Sequence, residues 1–324
     1  MGFSMDAINF ILKNGEAWLQ YATKVNILKE SKERLTELKC QALNDPLIKE
    51  YLNDISNYHS ILVKNHKDPN LPIYKLLFLL DIGFGNEITE IQEAINQILE
   101  HKDISGVYQS RTNIPKHFGG NGEDTFGWCL CDAPLLLLAL LKAGVNYEEH
   151  IKQGVEYLIS FFKDVGFPCT VSPEFGKFRG PGRKDDCCPN ASLQMLKLLS
   201  AIDEYSQAEI TINTAMEFLS LWENSWERHP YMYYMGTDFR KLKAPPVWYD
   251  LVSVTDALRH VKTVKSDERF IGMVELIRSK QDSDGIFTPE SVYQKFKGLD
   301  FGQKKMPSPY LTYLCYKILD SVDS

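Results

Sequence analysis

Long apolar runs are absent from this chain: no stretch approaches the roughly 18 residues that a membrane-crossing helix requires. No basic, apolar, small-residue leader precedes Met5 either. Both absences lead us to expect a soluble, cytoplasmic protein with no integral membrane segment. Positive charge is also short, with 36 Lys and Arg against 43 Asp and Glu and a net charge of −7. A surface of that sign disfavours general binding to nucleic acid or anionic membranes. Cysteine is sparse and odd in number: seven in 324 residues suits neither the even count nor the small size of a disulfide scaffold. The sulfurs therefore read as thiols or metal ligands. Gly119-Gly120-Asn121-Gly122 lacks the strand-then-helix setting of a phosphate loop and is discounted.

What the chain does have is core and period. Hydrophobic residues make up 44% and aromatics 12%, enough for one large domain or two ordinary ones. Apolar helical runs begin near Glu16, Ile73, Cys131, Cys188, Tyr249 and Pro309, at spacings of 57, 58, 57, 61 and 60 residues. These runs are apolar around much of their circumference, as helices buried on several sides are. Between them lie one-sided amphipathic segments, Pro46–Val63, Glu87–His101, Tyr147–Asp164, Ala208–Asn224 and Asp267–Gln281. Six inner helices against five outer ones leave one partner missing. Residues 5–14 supply it, because Ala7–Leu12 (AINFIL) nearly copies Ala94–Leu99 (AINQIL) of an outer segment. The fold class expected is all-α: a single domain over residues 1–324, an (α/α)6 toroid closed by residues 5–14 packing beside 309–319. A closed ring has no apolar end faces to cover.

Proline or a capping residue opens the later inner helices, at Asp132-Ala133-Pro134, Cys188-Pro189 and Ser308-Pro309. Long polar loops precede them: Ser105–Gly127, Phe167–Asp186, Trp226–Val247 and Thr288–Pro307. Loops of about 20 residues are uncommon in compact domains without a function. A ring gathers all four at one mouth, and function is expected there.

Gln281, Gly285 and Phe287 form Q-x3-G-x-F at the end of an amphipathic segment. This resembles the QW repeat, Q-x3-G-x-W, of the terpenoid cyclase and protein prenyltransferase superfamily. Further likeness, to bacterial prenyltransferase/squalene oxidase repeat proteins, rests on Trp128-Cys129-x-Cys131, on Met235–Lys243 (MGTDFRKLK), on Trp248-Tyr249-Asp250, and on Asp300–Ser308 (DFGQKKMPS). It covers most of the chain, from about Trp18 to Leu319. The resemblance implies a squalene cyclase-like toroid acting on a small apolar substrate, one that carries an anionic group such as a diphosphate. It supplies no catalytic set: D-x-D-D and D-D-x-x-D are absent, and no zinc-ligand set of the prenyltransferase kind can be matched.

The residues offer three constellations of their own. Arg179, Arg183, Lys184, Arg240, Lys241, Lys243, Lys304 and Lys305 fall in three loops that enter the same mouth. Arg183, Arg240, Lys241 and Lys304 are the expected anion binders, helped by helix N-termini; local pairing with neighbouring acids is the alternative. Trp128, Trp248 and Tyr249 are expected to receive an apolar tail. They flank two candidate catalytic acids, Asp250 and Asp132, and burial among rings would suit either to proton donation. Each acid also sits where a helix N-cap belongs, and both readings stay open. Cys129, Cys131, Cys169, Cys187 and Cys188 form the third group, at no standard zinc spacing; we expect no metal and identify no cofactor. His260 and His101 read as structural. The leading expectation is a terpenoid cyclase or prenyltransferase-like enzyme. A non-catalytic toroid binding a peptide or metabolite, and an (α/α)6 glycan hydrolase or lyase, are its rivals.

Overall fold

The computed structural model describes residues 5–176, 178, 187–227 and 238–323. The first half holds α1 (Met5–Asn14), α2 (Ala17–Asn26), α3 (Thr36–Leu43), α4 (Pro46–Ser56), α5 (Pro72–Asp81) and α6 (Thr89–Glu100). A hairpin of β1 (Ser110–Asn113) and β2 (Asp124–Gly127) follows, antiparallel with Ser110 opposite Gly127. Then come α7 (Ala133–Lys142), α8 (Lys152–Ile159), α9 (Pro189–Ser200), α10 (Glu209–Glu223), α11 (Leu251–Leu258), α12 (Glu268–Arg278) and α13 (Pro309–Asp323). Among the described residues the chain is all-α apart from this small sheet. Among the described residues no helix is long and apolar enough to cross a membrane.

The helices fall into two kinds, for reasons legible in their residues. In α7 every residue from Ala133 to Leu140 is buried, and in α9 every residue from Pro189 to Leu196. By contrast α4 buries Ile48, Tyr51, Leu52 and Ile55, and α12 buries Phe270, Met273, Val274 and Ile277. That spacing of three and four is a single helical face, with charge left on the other. The first kind pack on one another in succession: α5 on α7, α7 on α9, α9 on α11, α11 on α13, and α13 on α2. Trp18 of α2 bridges the remaining pair, 5.0 Å from the Phe78 ring of α5 and 5.3 Å from Tyr310 of α13. Proline opens α4, α5, α7, α9 and α13, where its missing N–H has no helical partner to lose.

The helix α1 lies on α13 and α2. Ala7 and Ile8 pack with Tyr316 and Leu12, while Ile11 joins the main core. Deleting residues 1–14 should lower the melting temperature by roughly 5–10 °C, since each buried isoleucine contributes about 1.5–3 kcal/mol. Calorimetry on the truncated chain checks this, and an unchanged transition would show that α1 contributes nothing.

Several segments differ from the sequence expectation. The helix expected over Pro46–Val63 stops at Ser56, because Asn57 leaves the helical region at φ −115°, ψ 57°. Val63 instead bridges Thr112 of β1, so part of the polar loop 105–127 is a hairpin. The segment expected from Tyr147 opens with a π-helical turn, Tyr147–Ile151, and only then becomes α8. The extra helix α3 buries little besides Ala42, so it carried no apolar stripe to betray it.

The motif at Lys280–Pro289 has a clear structural job. Asp282 Oδ1 accepts from the N–H groups of Asp284 and Ile286, both at 3.0 Å, closing a turn in which Gly285 sits at φ 77°. Phe287 then enters the core, its N–H donating to Thr312 Oγ1 at 3.1 Å and its carbonyl accepting from Ser308 N at 2.9 Å. The exit of α12 is thereby fastened to the start of α13. Asp103–Tyr108 builds the same turn. Asp103 Oδ1 accepts from Ser105 N and Val107 N at 2.8 and 3.1 Å, Gly106 has φ 86°, and Tyr108 is fully buried.

Candidate functional site

A cavity of about 270 Å³ lies among α5, α7, α9, α11 and α13. Its wall is apolar and aromatic, with Tyr74, Phe78, Leu135, Leu138, Tyr310 and Leu314 contributing. Pro69, Pro245, Pro246 and Val247, from the loops that precede α5 and α11, close one end. The other end is formed where the helices finish, at Asp81, Lys142, Ala201 and His260, all exposed. Among the described residues, Trp226–Val247 is the one long loop that lines the space, and exposed residues lie at the end where the helices finish.

Charge is concentrated at the open end. Lys142 pairs with Asp81 at 2.7 Å and Arg259 with Asp256 at 2.7 Å. Burial alone would raise the Asp256 carboxyl, but Arg259, Lys317 and His260 outweigh it and hold the acid well below its ordinary range. Two further lysines of the wall make no ion pair among the described residues. Lys197 donates to Ser253 Oγ at 3.0 Å and to Pro246 O at 3.3 Å, and burial pushes its ammonium down. Lys317 lies 5.5 Å from the centre of the Tyr313 ring. Lys75 also lines the cavity, but it is turned toward Asp54 and Glu50 of α4. The wall thus offers Lys197 and Lys317 beyond its internal pairs, in a chain whose net charge is −7.

Among the described residues, two of the expected anion binders, Arg240 and Lys304, have different surroundings. Arg240 turns to the end of α10, donating to Trp222 O at 2.7 Å and Ser225 Oγ at 3.2 Å, with its guanidinium 4.2 Å from the Trp222 ring. It satisfies one carbonyl that the helix end leaves open. Lys304 lies instead in a surface depression beside Lys280 and Glu290. Lys241 is half-buried next to Arg240, and Lys243 pairs with Asp238 at 3.4 Å above the Tyr293 ring. Arg179, Arg183 and Lys184 lie outside the described residues.

The aromatic candidates do not line the cavity either. Trp128 is buried, donates Nε1 to Asp103 Oδ2 at 2.8 Å, and packs against Tyr157 and Phe161. Trp248 and Tyr249 contact each other at 4.9 Å, with Lys67 Nζ 4.6 Å from the Trp248 ring, beyond the Pro245–Val247 plug. His101 stacks on Phe126 at 3.7 Å, a structural role. His260, read as structural, stands at the rim of the cavity instead.

Asp250 is the N-cap of α11. Oδ1 caps α11 by accepting from Ser253 N at 2.9 Å, while buried Oδ2 has no hydrogen-bond partner. Desolvation pushes the carboxyl up to about 7. It does not line the cavity, but Ser253, whose N–H it accepts, takes a hydrogen bond from Lys197 at its hydroxyl. Asp132 does not cap α7 in the expected way. Its Oδ1 reaches back to Cys129 N at 3.0 Å, and Oδ2 faces His66 Nε2 at 3.4 Å.

Backbone pairing explains how the cysteines meet. The segment carrying Cys169 is pinned on one side by the Cys129–Val171 bridge and on the other by Pro168–Cys187. The free thiols of Cys131, Cys169 and Cys188 consequently lie close to one another, and hydrogen bonding from the other two, with N–H groups at the start of α9, holds Cys188 well below its usual range. Cys187 departs from the group and donates to Lys163 O at 3.6 Å. His66 was not visible as a member of this region, since a lone histidine in a polar segment carries no spacing signal. No protein-family model matches this chain, and no curated protein matches it.

Proposed function

We propose that the helices close into an (α/α)6 toroid of the terpenoid cyclase and prenyltransferase kind, and that its bore binds a small molecule with an apolar body and an anionic group. The cyclic succession of packed helices and the seat of α1 on α13 support the ring. One observation carries the function: a 270 Å³ apolar cavity whose wall holds Lys197 and Lys317 beyond its internal ion pairs. The rings and leucines match an apolar body, and the ammonium groups match a carboxylate or phosphate.

Binding without turnover is favoured over cyclisation. A protonating acid must hold its proton near neutral pH, yet the carboxyls facing the cavity, Asp81 and Asp256, are each paired with a cation. The same pairing disfavours a glycosidase, which needs one carboxyl kept protonated. Asp250 has the raised affinity but stands outside the wall.

Calorimetry of the full-length protein against geranyl diphosphate and against a medium-chain fatty acid tests the reading. One class should bind, more weakly in added salt. Lys197→Met and Lys317→Met should each weaken it roughly tenfold or more, because a charge-assisted contact contributes about 1.5–3 kcal/mol. Arg240→Met should leave affinity unchanged. Absence of binding to both classes would sink the proposal, and product formed from the diphosphate would return the enzyme reading to the front.

A further inference from the structure

The long-loop side holds a second built cluster, separate from the bore. His66 lies before α5, its carbonyl fixed by the Tyr74 hydroxyl at 2.7 Å. Cys129 and Asp132 lie in the turn before α7, joined by the Cys129 N–H to Asp132 Oδ1 bond at 3.0 Å. One ligand atom from each of the three lies within 4.8 Å of the other two. Two of these polar groups are under-used. Asp132 is 2% exposed, and neither its Oδ2 nor His66 Nε2 has a hydrogen-bond partner among the described residues, although they face each other at 3.4 Å.

Buried polar atoms without partners are uncommon in folded proteins, because each forfeits hydration. A cation between the carboxylate and the imidazole satisfies both. Nitrogen, sulfur and oxygen donors together suit a zinc-class ion, whose bonds of about 2.0–2.3 Å place its ligands roughly 3.3–3.8 Å apart. Small side-chain rotations bring the three atoms to that spacing. The backbone pairing that unites Cys131, Cys169 and Cys188 also lays the Cys169 segment alongside Cys129, so a further thiol is at hand.

We infer that His66, Cys129 and Asp132 bind a zinc-class divalent metal ion, completed by a thiol of the Cys131–Cys169–Cys188 group, which ties together the segments preceding α5, α7 and α9. The ion is structural: four protein ligands leave no open position. This reverses the expectation of no metal, which followed from cysteine spacing alone and took no account of His66 or Asp132.

The test uses the full-length protein, stripped with chelator and titrated with Zn²⁺ and with Co²⁺. We expect one equivalent bound, a higher melting temperature with Zn²⁺, and for Co²⁺ a near-ultraviolet thiolate charge-transfer band with the visible bands of a tetrahedral ion. His66→Ala and Cys129→Ser should each weaken Co²⁺ binding at least about tenfold, while Cys40→Ser, at an exposed thiol, should not. The wild-type titration stands even where a variant fails to fold. A wild-type protein showing neither a thiolate–cobalt band nor a thermal shift at saturating metal overturns the inference. So does an unaltered Co²⁺ spectrum at full stoichiometry after both replacements.

Discussion

Replacing Asp250 with Asn should stabilise the protein at pH 8 and remove a component of its pH dependence between about pH 4 and 7. The carboxyl is 1% exposed, and desolvation raises it from 3.8 to about 7. A raised folded-state value means that the folded protein holds this proton more tightly than the unfolded chain does. The resulting stability is fully present below the unfolded value, and it is lost as pH rises through the folded one. About three units correspond to about 4 kcal/mol. Asparagine keeps the oxygen that caps α11 at Ser253 N and carries no charge to desolvate. Other carboxylates impose slopes of their own, so the informative quantity is the difference between wild type and variant in urea melts across pH 4–8. That difference should grow by about 4 kcal/mol in favour of Asn over this range. A gap independent of pH would show that the Asp250 carboxylate is not desolvated.

The same residue links stability to the cavity. Ser253, fixed by Asp250, donates its hydroxyl proton to Pro246 O at 3.4 Å and accepts from Lys197 at 3.0 Å. The cap of α11 therefore orients both a wall cation and the plug. Under the proposed function, Asn at 250 should leave ligand affinity intact, whereas loss of the cap in Asp250→Ala should weaken affinity and stability together.

Helices were legible because burial writes a period into the sequence. Leu135–Leu140 admits no solvent face, and Ile91, Ala94, Ile95 and Ile98 admit only one burying face, so fully buried helices are told from one-sided ones. Side-chain direction left no such record. Nothing in MGTDFRKLK says that Arg240 turns toward the end of α10 rather than toward a ligand. Nor does a polar loop announce that Pro245, Pro246 and Val247 line the cavity. Asp132 and His66 escaped for a related reason: they meet through tertiary packing across 66 positions of chain. One signal was readable and lay unused. Asp-x-x-Gly followed by an aliphatic and an aromatic residue occurs at Asp103–Tyr108 as well as at Asp282–Phe287, and both copies make the same turn.

That turn carries the other large effect. Phe287→Ala should destabilise the protein by about 3–5 kcal/mol, the cost of emptying a buried aromatic site. Its ring is fully buried and sits between the end of α12 and the start of α13, with backbone bonds to Thr312 and Ser308 on either side. Collapse around the void is limited because both bonds hold the turn in place. Thr312→Val, which removes the acceptor for the buried Phe287 N–H while preserving shape, should cost about 1–3 kcal/mol. Phe287→Trp, the residue that the resembling repeat carries, should also destabilise, by roughly 1–3 kcal/mol, because the site is already filled to phenylalanine's size. Denaturant unfolding of the three variants gives the order directly. A Phe287→Ala protein within 1 kcal/mol of wild type would show that the turn merely follows the packing of α12 and α13, rather than fastening one helix to the other.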